Sequence, residues 1–92
     1  MRVLWTERAA RDLEEICDYL EQRASSALAR RVALVITDRI AELKQFPEQG
    51  RTGRKSGTRE LVLSDLPYLV VYRIGTNALE ILRILHGAQM WP

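Results

Sequence analysis

Arg59, Tyr72, Arg83 and His86 are side chains of the kinds that grip or cleave a phosphodiester, and all four fall in the second half of a 92-residue chain. Metal-free RNA cleavage needs a base for the 2′-hydroxyl, an acid for the leaving oxygen, and cations around a phosphorane-like transition state. Arg59, Arg83 and His86 supply two of these roles. The base has no obvious source: no carboxylate lies between Glu48 and Glu60. Tyr68 or Tyr72 would need strong activation, and both are expected to pack in a sheet with their hydroxyls at its rim.

His86 is the only histidine. Strand alternation puts it with Leu82 and Ile84, and puts Arg83 with Ile81 and Leu85. A lone histidine is more often a hydrogen-bonded structural residue than a catalyst, since titration near neutral pH does not by itself move protons to a substrate. Arg83, set among apolar neighbours, needs an anionic partner. That partner is either an internal carboxylate such as Glu60 or an external phosphate or carboxylate.

The second constellation is basic. Between Gln49 and Arg59 the chain carries Arg51, Arg54, Lys55 and Arg59 and no acidic residue, whereas Met1 to Gln22 has a net charge of −3. The stretch GRTGRKS invites comparison with the phosphate-cradling pattern G-x-x-x-x-G-K-[ST]. It fails twice: Lys55 comes one residue early behind Arg54, and a strand follows where the motif needs a helix N-terminus. The basic residues remain open to phosphate contacts, to an acidic protein segment, or to plain solvation.

The elements that must position these residues follow from periodicity. Arg2 to Trp5 reads as a strand, and Thr6 caps a helix whose stripe is Ala9, Leu13, Ile16, Cys17, Leu20 and Ala24. Ser25 or Ser26 caps a second helix through Ala29, Val32, Ala33, Ile36, Ile40 and Leu43, running to about Gln45 before Pro47 stops it. PEQGRTGRKSGT is the one true loop. RELVLS, YLVVYRI and LEILRILH then read as three strands joined by tight turns. The order β-α-α-β-β-β predicts an α+β domain, a helical hairpin on one face of a mostly antiparallel sheet, with the first strand at an edge and the far face partly covered.

The composition, 47% hydrophobic and 28% charged, suits one globular domain spanning 1–92. No run reaches the roughly 20 apolar residues of a membrane helix, and no signal peptide is evident, so a cytoplasmic location without membrane contact is expected. One cysteine and one histidine cannot assemble a zinc site, so no metal or other cofactor is expected. The ending AQMWP places Met90 and Trp91 where they must pack on the fold or meet a partner.

Taken together, WTERAARDLEEICDYL, the helix ending in FPEQGR, GTRELVLSDLPYLVVYRI and LEILRILHGAQMWP resemble the RelE/ParE superfamily of bacterial toxins from type II toxin–antitoxin modules. The most specific parts are G-x-R-E-L, Tyr-x-x-x-Tyr-Arg and L-R-I-L-H-G. The resemblance implies the same two-helix fold, a cognate antitoxin, and growth arrest of the kind used in plasmid stabilization. It also implies higher-order toxin–antitoxin assembly. RelE-like members cleave mRNA on the ribosome; ParE-like members inhibit DNA gyrase.

Ribonuclease members commonly have an arginine just after the first aromatic of the YLVVYRI strand, where this chain has Leu69, and the loop carboxylate used as a base in some members is absent. Arg59 and His86 match positions that matter in several ribonucleases, while the short L-R-I-L-H ending resembles ParE. The expectation is a gyrase inhibitor without chemistry of its own. Arg59, Arg83, His86 and Trp91 would face the target, and Arg51, Arg54 and Lys55 the antitoxin. The alternatives are a ribosome-dependent endoribonuclease using Arg59, Tyr72, Arg83 and His86, and a non-toxic partner-binding module.

Overall fold

Thr6 marks the first change of direction. Its backbone is extended, its hydroxyl accepts from Ala9 N–H at 3.0 Å, and Glu7 begins the helix beside the positive end of the dipole. The computed structural model describes residues 1–87, and the expectations for Met90 and Trp91 lie outside the described residues. Strand β1 (Arg2–Trp5) leads into α1 (Glu7–Arg23), and Ser25 caps α2 (Ser26–Glu42). The regular helix ends three residues before Gln45, and the chain continues in tighter turns in which Leu43, Lys44 and Gln45 N–H donate to Ile40, Ala41 and Glu42 O. Strands β2 (Arg51–Thr52), β3 (Arg59–Val62), β4 (Tyr68–Ile74) and β5 (Ala78–His86) follow.

The sheet order is β1-β5-β4-β3-β2, with β1 parallel to β5 and every other pair antiparallel. This is the expected α+β arrangement with one strand added, because the stretch taken for pure loop pairs Arg51 with Glu60 and Thr52 with Arg59. Two residues are too few to show a period, which is why the sequence pattern hid β2.

One core lies between the helices and the sheet. Ala9, Val32, Ile36, Ile40 and Leu43 pack against Leu61, Leu63, Val70, Tyr72, Leu79, Ile81 and Ile84. Leu69, Val71 and Leu85 form a smaller buried cluster with Leu82 packed against it. The partition of β5 departs from simple alternation. Its ladder with β4 slips between Val71, which pairs with Arg83, and Tyr72, which pairs with Ile81. Leu82 is therefore the extra residue of a β-bulge, and the phase resets across it. Ile81 and Ile84 join the helix-side core while Leu82 and Leu85 share the other cluster, so Leu82 does not accompany Ile84, nor Ile81 Leu85.

Candidate functional site

Beyond Ile81, the last residue paired to β1, strand β5 has lost its parallel neighbour, and polar groups at the start of α1 take over. Thr6 donates its N–H to Ile81 O at 3.1 Å and its hydroxyl to Leu82 O at 3.2 Å. One turn and a half later Asp12, 5% exposed, accepts from Ile84 N–H at 2.9 Å. The same carboxylate accepts from Arg83 Nε at 2.8 Å and Nη2 at 3.2 Å, with Arg8 Nε 3.3 Å away. The hydrogen bond from Asp12 is the main reason that the Arg83 guanidinium is held even more firmly in its charged form.

Of the two alternatives for Arg83, the internal carboxylate holds, but it is Asp12 and not the suggested Glu60. Asp12 was the residue to suspect, because it falls three positions after Ala9 and four before Ile16, on the buried stripe of α1 where a carboxylate must be paired.

Glu60, 2% exposed, serves the basic constellation instead. Its Oε1 accepts from Arg51 Nη2 at 2.9 Å and Nε at 3.2 Å, and its Oε2 from Arg54 N–H at 3.2 Å. Burial pushes this carboxyl upward, but the Arg51 hydrogen bonds, the Arg54 N–H and the two guanidinium charges overcome it and leave it below the usual glutamate value. Arg51 and Arg54 therefore converge on one buried acid while their side chains stay about half exposed. Lys55 is exposed in the turn beyond them, its carbonyl taken by Thr58.

Arg59 and Tyr72 lie opposite each other in the β3–β4 ladder. The Tyr72 hydroxyl donates to Pro47 O at 2.6 Å and accepts from Gly50 N–H at 2.8 Å. Arg59 Nη1 donates to Gly50 O at 2.8 Å and Glu48 O at 3.2 Å. Gly50 has to be glycine here, since a Cβ would stand 2.7 Å from the Tyr72 ring and hydroxyl. Tyr72 is fully buried, so its hydroxyl is not at a sheet rim as expected. Burial is also the main cause of a phenol pushed above its ordinary value, outweighing the Gly50 N–H and the nearby Arg59 charge. Such a phenol is the reverse of an activated base.

His86 is exposed at the end of β5, its ring edge-on to Tyr68 with centroids 5.8 Å apart. It lines a groove of about 490 Å³ with Ile16, Tyr19 and Leu20 of α1 and Pro67 of the β3–β4 turn. Tyr68, its ladder partner, stands four residues from Tyr72, about 13 Å along the strand. The expected ribonuclease set is thus divided: Arg59 and Tyr72 hold one turn, while Arg83 is tied to Asp12, which lines the same groove as His86. Among the described residues there is no cluster of three metal-ligating side chains and no helix long and apolar enough to cross a membrane.

A two-helix hairpin on this five-stranded mixed sheet is the fold of the RelE/ParE toxins. The profile of the ParE toxin of the type II toxin–antitoxin system parDE matches residues 3–91, and the chain belongs to that family. It is 46% identical over 91 residues to the protein Y4kP of Sinorhizobium fredii (strain NBRC 101917 / NGR234), covering 99% of this chain and 93% of that one. It is 37% identical over 89 residues to toxin RelE2 of Caulobacter vibrioides, covering 97% of this chain and 98% of that one. The solved chromosomal ParDE toxin–antitoxin system from P. aeruginosa superposes with a TM-score of 0.88 at 30% identity, over 94% of this chain and 95% of that one. The protein is a toxin of a type II toxin–antitoxin system, and its family implies a cognate antitoxin.

Proposed function

We propose that this toxin arrests growth by binding DNA gyrase, without performing chemistry of its own. The observation that carries this reading is the state of Tyr72: its hydroxyl is fully buried, bonded to two backbone groups and held protonated. Arg59 and Arg83 are likewise engaged in holding the fold, the one on backbone carbonyls and the other on Asp12. A ribonuclease would need such groups converging on one phosphate, with a base among them.

The name of the Caulobacter relative, toxin RelE2, favours the second reading, a ribosome-dependent endoribonuclease in which Arg59, Tyr72, Arg83 and His86 would act. A gyrase supercoiling assay beside a ribosome-programmed mRNA cleavage assay, on one preparation freed of antitoxin, separates the two. Blocked supercoiling with intact message supports the proposal. Cut message with active gyrase, and loss of cutting in Arg59→Ala and His86→Ala, would establish the ribonuclease instead. Inactivity in both assays, with normal growth on induction, would leave a non-toxic binding module.

The antitoxin is proposed to place acidic side chains against Arg51, Arg54 and Lys55. Glu60 neutralises only part of that charge while holding the Arg51 side chain and the Arg54 backbone N–H in place, so a partner meets a partly preorganised positive surface.

A further inference from the structure

Phe46 is the most exposed large apolar side chain among the described residues, at 63%. It sits in a turn whose backbone is fixed at every residue. Phe46 N–H donates to Glu42 O, and Gln49 N–H to Phe46 O, both at 3.1 Å. Pro47 and Gly50 are held by the Tyr72 hydroxyl, and Glu48 and Gly50 carbonyls by Arg59. Two side chains of the sheet thus reach out to hold a turn that presents a phenyl ring to water.

The ring borders an open groove of about 570 Å³ lined by Glu42, Pro47, Glu48 and Gln49. Its walls carry two carboxylates and no cationic side chain. Glu42 has a surface ion pair with Arg39 at 3.4 Å, and Glu48 lies 4.0 Å from Arg59, but both remain more than half exposed. An aromatic residue held rigidly at the surface within a polar rim has the form of a binding hot spot, because little ordering remains to be done on association. The sign of the rim is opposite to that of the Arg51, Arg54 and Lys55 surface. It suits a basic segment, whose lysine or arginine can meet the carboxylates or lie over the ring while an aliphatic neighbour covers the phenyl.

We infer that the Phe46 turn is the surface through which this toxin docks a basic segment of its target protein, with the ring as apolar anchor and Glu42 and Glu48 as the charged rim. Arg59 and Tyr72 are its positioning residues. The inference rests on the reading of gyrase as the target.

The test is a supercoiling titration with wild-type toxin, Phe46→Ala, and the double variant Glu42→Lys/Glu48→Lys, each purified free of antitoxin. Melting and binding to the cognate antitoxin are measured in parallel. Wild type should inhibit, and both variants should need at least about tenfold more protein for the same inhibition. Melting temperature and antitoxin affinity should stay unchanged. If Phe46→Ala melts early, the double variant decides. Wild-type inhibition matched by both variants would overturn this docking site and leave the gyrase reading standing. Equal loss of antitoxin binding would reassign the turn to the antitoxin and overturn it. A wild-type toxin inert on gyrase would overturn the reading and the inference together.

Discussion

Arg59 and Tyr72 are direct partners across the β3–β4 ladder, and both side chains end on the backbone of the same turn, residues 47 to 50. Residue types that suggested phosphodiester chemistry are used here to tie the exit of α2 to the sheet.

Replacing Tyr72 with Phe keeps the ring in the core but removes the bonds to Pro47 O and Gly50 N–H. Leaving these groups without their partner should cost about 2 kcal/mol, a fall in melting temperature of roughly 10 °C for a domain this size. Thermal unfolding followed by circular dichroism reads it directly. A variant as stable as wild type would show that water serves both backbone groups equally well, and that the turn does not depend on Tyr72.

Asp12 ties α1 to the far half of β5 by meeting Arg83 and the Ile84 N–H together. Asp12→Ala removes a buried charge that compensates a largely buried guanidinium, so a loss of about 3 kcal/mol is expected. Asp12→Asn can still accept from Ile84 N–H and should lose less. Urea unfolding should show both as lower midpoints with an unchanged slope. Equal losses would mean that the hydrogen bond kept by Asn adds nothing once the charge is gone.

Glu60 gives the fold a pH dependence of known sign. Its carboxyl sits below the 4.5 of an unpaired glutamate, so the folded protein takes up this proton less readily than the unfolded chain. The stability it contributes is complete above pH 4.5 and drains away as pH falls through the folded value. Glu60→Gln should therefore melt below wild type at neutral pH, with the gap narrowing below pH 4.5. A gap that is constant with pH would mean that the Arg51 and Arg54 contacts do not favour the ionised form.

The α1 stripe and the Thr6 and Ser25 caps are local signals, governed by helical period and by donors within three residues, and were legible in the sequence, whereas α2 ends at Glu42, short of the Pro47 stop. So were strands β3, β4 and β5, whose runs of Val, Ile, Leu and Tyr are set off by short turns. Strand β2 was not, being held by pairing to β3 and not by any pattern of its own.

The partners of the charged residues were the least legible feature. Arg83 meets Asp12 across 71 positions, and Arg59 and Tyr72 meet a turn 9 to 25 positions away. Sequence spacing carries no information about which acid a folded sheet will bring to which base. The β5 bulge adds to this, since one extra residue at Leu82 reverses the face of every side chain after it, and alternation read from the sequence passes straight through that position.

By itself, then, the sequence determined the family and every element but β2 in its order, because these depend on neighbours along the chain and on an ordered set of short motifs. Only the tertiary structure decided that Tyr72 is sealed in the core, that Arg83 belongs to α1 and Glu60 to Arg51 and Arg54, and that Phe46 is held out to solvent. Burial and long-range hydrogen bonding set those roles, and both exist only once the helices have closed over the sheet.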